Sequence, residues 1–187
     1  MRSVPAVFAF VCALTAWQPA IVRADGRPGG PPIMLAFQTM YGVDGPFLGD
    51  ANKIRDVEGD EAPWEIGPVT GKLFVDGTLL LVVRHLVFKD SPLVQPPSLI
   101  GTNDEPTFRA LVSCLTEVGE DKVETRNIVS KEFPATQSGN SFIKTKLELP
   151  NPCVAPIVFV LAGSEDKWFA VTGFEAEEKA TDHSPHK

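Results

Sequence analysis

The chain has 187 residues, with 17 Lys and Arg against 24 Asp and Glu, a formal net charge of −7 and an apolar fraction of 43%. That length and apolar content suit one domain with a full core. An acidic surface of this kind repels phosphate backbones and anionic lipid, which sets nucleic acid aside as a partner.

Residues 1–24 read as a secretory signal peptide. Arg2 supplies the positive start, Ala6 to Trp17 form an uncharged apolar run, and Val22-Arg23-Ala24 offers a small-x-small cleavage site before Asp25. The run is too short for a stable membrane span. Cleavage removes Cys12, Arg2 and Arg23, leaving about 163 residues, a net charge near −9 and two cysteines, Cys114 and Cys153. Cys12 has no lipobox before it, and Asn52, Asn103, Asn127, Asn140 and Asn151 all lack Ser or Thr two residues on. The expected location is therefore extracytoplasmic, secreted or periplasmic. No later segment reaches membrane-spanning length; the longest apolar stretch, Val154 to Gly163, is of strand length and contains Pro156.

Residues 25–32 are rich in Gly and Pro and read as a flexible leader before a single domain over 33–175. Ile33 to Met40 is a first strand. Residues 41–67 show no sustained period and carry six carboxylates between Asp50 and Glu65, the pattern of a long irregular loop. Gly71 to Val75 and Thr78 to Phe88 flank Asp76-Gly77, a hairpin dipeptide in which both turn positions are expected to take positive φ. Residues 89–106, with Pro92, Pro96, Pro97, Gly101 and Pro106, form a second long loop.

Phe108 to Thr116 alternates, placing Phe108, Ala110, Val112 and Cys114 on one face with Arg109 and Ser113 pointing away. Val123 to Phe133 is a more polar strand near an edge. Ser141 to Leu149 sets Ile143, Thr145, Leu147 and Leu149 against Lys144, Lys146 and Glu148, and Val154 to Leu161 is apolar throughout, as in a central strand. Trp168 to Phe174 closes the domain, and residues 176–187 form a polar, disordered tail. No amphipathic helical period persists. The pattern predicts an all-β fold, an antiparallel Greek-key or immunoglobulin-like β-sandwich with two long irregular loops.

In an oxidising compartment Cys114 and Cys153, with 38 residues between them, are expected to form a disulfide between strands or between sheets. In the chain-entropy model such a loop stabilises by roughly 4 kcal/mol. A redox-active pair lacks both Cys-x-x-Cys spacing and a helix N-terminus.

No motif identifies a catalytic residue or calls for a cofactor. His85 stands alone in a strand beside Arg84, and His183 and His186 lie in the tail. No Gly-x-Ser-x-Gly elbow supports a Ser-His-Asp hydrolase. Ser141 to Lys144 matches Ser-x-x-Lys, but on a strand, and Gly67 to Lys72 is one residue short of a phosphate loop. What stands out is the 41–67 loop. Tyr41, Asp44, Phe47, Trp64 and Glu65 can form an aromatic and acidic ligand surface, or the aromatics can pin the loop onto the sandwich. Asp56, Glu58 and Asp60 offer hard oxygen ligands for Ca²⁺, although their spacing matches no EF-hand, and the plainer reading is a solvated acidic loop.

Met40-Tyr41-Gly42-Val43-Asp44-Gly45-Pro46-Phe47 with Trp64, Thr107 to Leu115, and Pro152 to Val160 together resemble a group of small secreted bacterial proteins of unassigned function. The resemblance implies a shared fold and a recurrent cysteine pair, and assigns no activity to any residue. The leading expectation is a non-enzymatic interaction or structural module whose partner is an extracellular or envelope protein or a glycan. The alternative is an extracytoplasmic hydrolase of glycans or esters using carboxylates of the 41–67 loop, drawn from Asp44, Asp50, Glu58 and Glu65.

Overall fold

The computed structural model describes residues 30–173. The segment expected to be a signal peptide, most of the expected leader and the expected C-terminal tail lie outside the described residues. In chain order the strands are β1 (Ile33–Phe37), β2 (Tyr41–Gly42), β3 (Glu58–Gly59), β4 (Trp64–Glu65), β5 (Thr70–Phe74), β6 (Thr78–Val83) and β7 (Val87–Phe88). They continue as β8 (Thr107–Glu117), β9 (Val123–Val129), β10 (Phe133–Pro134), β11 (Ser141–Lys146), β12 (Val154–Ala162) and β13 (Lys167–Val171). Single 3-10 turns occupy Gly45–Phe47 and Pro97–Leu99.

The strands form two packed sheets. The smaller runs β1-β5-β6-β11. The larger runs β10-β8-β12-β13-β2, with β9 also on the outer side of β8 and β3 added to β13; β4 and β7 make a short ribbon. Every pairing is antiparallel except β3 with β13. With β5-β6-β11 in one sheet and β9-β8-β12-β13 in the other, the strand order is that of an immunoglobulin-like Greek key. The sequence-predicted sandwich is the observed fold.

Period-two patterning explains which faces meet. In the small sheet Leu73, Leu79, Leu81, Val83 and Ile143 are buried, while Thr70, Lys72, Phe142, Lys144 and Lys146 are exposed on the opposite face. On the large sheet Phe108, Ala110, Val112 and Cys114 point into the same hydrophobic cluster. The outer face of the large sheet is buried as well. Leu111, Ser113, Phe159, Leu161 and Trp168 are all at most 4% exposed, so β8 and β12 are covered on both sides. Ser113 thus points away from the inter-sheet core, as its alternation predicts, but into a third layer rather than solvent.

Three local departures from the sequence reading have simple causes. The Thr78–Phe88 run breaks after Val83, because His85 takes a left-handed φ of 52° that releases Val87 and Phe88 to pair with β4. The Val123–Phe133 segment divides into β9 and β10 at Ser130, whose N–H still donates to the Ala110 carbonyl while its Oγ accepts from the Ala110 N–H. At Asp76-Gly77 only Gly77 has positive φ, at 81°. Gly77 N–H donates to the Phe74 carbonyl, and Asp76 accepts from the Thr78 N–H and hydroxyl, so the hairpin is a three-residue loop with glycine at its left-handed position. A Cβ at Gly77 would also overlap the Leu147 carbonyl.

Cys114 and Cys153 are bonded, with their Cα atoms 4.9 Å apart. The bridge joins β8 to the residue just before β12, two neighbours in one sheet, so it is the inter-strand form of the expected staple. Across it Leu115 faces Val154 and Ser113 faces Ile157, so Ala155 and Pro156 bulge opposite Cys114.

Candidate functional site

The long 41–67 segment, where the candidate ligand residues lie, is built into the sandwich. It starts as β2 on the β13 edge, with Val43 N–H donating to the Phe169 carbonyl at 2.8 Å. It then crosses the outer face of the large sheet. Phe47 packs 6.4 Å from Trp168 and edge-on to Tyr41 at 5.9 Å, while the Arg55 carbonyl accepts from Asn127 Nδ2 on β9 and Arg55 Nη2 donates to the Ala155 carbonyl. Returning, β3 pairs with β13, and Gly59 lies so close to the Phe47 carbonyl that a Cβ there would overlap it. The segment is a third layer that wraps the β13 edge.

Trp64 anchors its return. The indole is 2% exposed, stacks on Phe169 at 3.9 Å and 16°, and lies 4.2 Å from Phe88. Its Nε1–H donates to Asp60 Oδ2 at 2.7 Å, and the Ala62 N–H donates to the same oxygen. Trp64 therefore pins the loop, the second of the two roles its sequence context allows. Phe169 reaches it because a register shift between Val160 and Leu161 on β12 leaves Phe169 as the extra residue of β13.

Asp44, Tyr41 and Glu65 meet at the surface around Lys89, a residue the sequence reading did not single out. The Lys89 ammonium donates to Asp44 Oδ2, and Asp44 Oδ1 accepts from the Gly45 N–H as the cap of the 3-10 turn. That ammonium holds the Asp44 carboxyl below its ordinary range, and Asp44 in turn raises Lys89, with Tyr41 and Glu65 adding to the field. Glu65 lies 3.4 Å from His85 Nε2. Glu58 pairs with Lys53 at 3.1 Å, and Asp50 lies exposed in a turn. Asp44, Glu58 and Glu65 thus each face a cationic side chain or a histidine.

The proposed Ca²⁺ set is dispersed. Asp56 sits in a turn at φ 65°, Glu58 faces Lys53, and Asp60 is buried against Trp64. Asp60 gathers instead with Glu61 and Glu165, their oxygens within 4.8 Å of one another. Lys167 Nζ joins two of the three, donating to Glu61 at 2.5 and 2.6 Å and lying 3.0 Å from Glu165. Hydrogen bonding from Lys167 lowers Glu61, and Glu61 raises Lys167 well above its ordinary value. The ammonium supplies positive charge to Glu61 and Glu165, while Asp60 is held by the Trp64 and Ala62 N–H groups. Lys167 lies 106 residues from Glu61, so no local pattern signals the pairing.

Burial pushes the Asp60 carboxyl above its ordinary 3.8, against the lowering effect of the Trp64 and Ala62 hydrogen bonds. Between 3.8 and that raised value the folded state holds more protons than the unfolded state, so this group's contribution to stability falls as pH rises. Asp44 and Glu61 act with the opposite sign, contributing above their unfolded values and losing that contribution as pH falls. Asp60→Asn keeps an acceptor for Trp64 and cannot ionise. Its stability relative to the parent should therefore increase from pH 3 to pH 7, read as urea midpoints; a difference independent of pH would contradict the assignment.

Among the described residues no helix is long and apolar enough to cross a membrane. No family model matches the chain, and neither a curated protein nor a solved structure does so.

Proposed function

We propose that the protein is a non-enzymatic, disulfide-stapled β-sandwich of the extracytoplasmic space that works as an interaction or structural module. One observation carries the reading: Trp64, Asp60, Asp44 and Glu61, aromatic and acidic groups of the 41–67 layer, are engaged in contacts within the fold. Trp64 and Asp60 bond to each other beneath the surface, Asp44 caps a turn and binds Lys89, and Glu61 binds Lys167. A general acid or base needs a carboxyl open to substrate and placed beside a reacting atom. The bonded cysteines and the signal-like leader support the location.

The test uses the purified, oxidised chain and its Asp44→Asn/Glu65→Gln variant against a panel of chromogenic esters and glycosides. The reading expects no turnover by either protein, and retention of the same ligand from an envelope or secreted fraction by both. Turnover by the parent that the double variant loses would overturn it in favour of the hydrolase.

A further inference from the structure

Among the described residues, the outer face of the four-stranded sheet is a broad sheet surface that the 41–67 layer leaves uncovered, and its charge is opposite to that of the whole chain. Strand register fixes its side chains in rows. Thr70, Val82 and Phe142 share one row, and Lys72, Leu80 and Lys144 share the next. Lys146 lies opposite Thr78, and exposed Arg84 continues the face beyond β6. Lys72, Arg84, Lys144 and Lys146 thus gather on one face of a chain with net charge −7. The acidic groups on this side, Asp76 and Glu148, lie at the hairpin end, where Asp76 is 3.4 Å from Lys146.

Apolar atoms lie between the cations. Phe142, the second residue of β11, is 58% exposed, beside partly exposed Val82 and Leu80. A shallow cavity of about 290 Å³ opens next to its ring, lined by Val82, Arg84, Pro134, Asn140 and Ser141. Adjacent strands are about 4.8 Å apart, so the backbone positions of Lys72 and Lys144 are separated by roughly 10 Å with Leu80 between them. The backbone N–H and C=O groups of β5 and β6 are used within the ladder, so a ligand lying flat on this face meets side chains only.

We propose that this face binds an acidic polysaccharide, with carboxylate or sulfate groups on Lys72, Lys144 and Arg84 and the C–H face of a sugar ring against Phe142. Charge complementarity selects a polyanion. The flat face with one exposed aromatic ring favours pyranose rings over an extended acidic peptide, whose backbone would seek a sheet edge. A lone phenyl ring among lysines provides little apolar surface to insert into a bilayer. The inference rests on the reading of the protein as an interaction module and specifies its ligand.

The test titrates the oxidised chain, at low and high salt, with polygalacturonate, neutral dextran, poly-glutamate and phosphatidylglycerol vesicles. Binding to polygalacturonate that weakens with salt, without binding to dextran, is expected. Lys72→Glu/Lys144→Glu should reduce it by about tenfold or more, and Phe142→Ala by several-fold, with melting curves checking that each variant is folded. Lys72→Gln/Lys144→Gln replaces the charge reversal if that variant does not fold. Absent binding to polygalacturonate, undiminished binding by the lysine variant, or equally tight binding to poly-glutamate or vesicles would overturn the inference while leaving the module reading intact. New reducing ends on the polymer would overturn the module reading itself.

Discussion

Trp64→Ala is expected to lower stability by about 3–5 kcal/mol, the cost of removing a large buried aromatic from a packed core. The indole is enclosed by Phe169 and Phe88, and its removal leaves both rings without their main contact. It also leaves the Asp60 carboxyl, already disfavoured by burial, without its closest side-chain donor. The Trp64 backbone N–H, which the variant keeps, donates to the Val43 carbonyl, so a shift of the chain at position 64 should carry to the start of the outer layer. Trp64→Phe should recover part of the loss by restoring the stack while Asp60 still lacks the indole N–H. Urea unfolding at neutral pH measures both variants. A cost below about 1 kcal/mol for the alanine variant would mean that Trp64 rests on the sandwich without anchoring it.

Replacing Cys114 and Cys153 together with alanine is expected to cost about 2–5 kcal/mol. The bridged loop, with a sequence separation of 39, contains β9, β10 and β11, so it ties strands of both sheets to one point. Without the bond the unfolded chain gains the freedom of that loop, and Cys114, fully buried, loses its partner. The bulge at Ala155 and Pro156 should loosen first, because it lacks regular ladder pairing opposite Cys114. The same midpoints in oxidised parent and variant would show that the bridge constrains nothing the ladders do not already fix. Titratable thiol in the unreduced, denatured parent lacking residues 1–24, and so lacking Cys12, would refute the bridge itself.

The strands whose faces differ in polarity were legible from the residues alone. β8, β11 and β12 announce themselves by alternation or by an unbroken apolar run, and each occupies the face or the central position that pattern implies. Cysteine spacing and compartment implied the staple, but not that it would join neighbours in one sheet. The outer layer was not legible. Its strands β2, β3 and β4 are two residues each, too short to display a period, and they are held by β13 and β7. Ser113 carries the same lesson. Its alternation places it away from the core, and only the chain crossing from Phe47 to Arg55 explains why a hydroxyl there is fully buried.

For the candidate site, sequence composition marked the 41–67 segment and left its role open between ligand surface and pinned loop. The deciding contacts are nonlocal: Lys89 to Asp44, Lys167 to Glu61, and Phe169 to Trp64. Each partner is an ordinary strand or loop residue in its own neighbourhood. No spacing rule connects them, because the sandwich brings them together only after β13 is in place beside β2 and β3.

The central claim, that residues 41–67 form a layer of the fold, is tested most directly by native-state amide hydrogen exchange. Val43, Gly59, Asp60 and Trp64 donate to the carbonyls of Phe169, Gly49, Trp168 and Val43 respectively. Their amides should be protected to a degree comparable with β12, and should lose that protection together in Trp64→Ala. Exchange of these four amides at the rate of an open loop, with β12 still protected, would contradict the account.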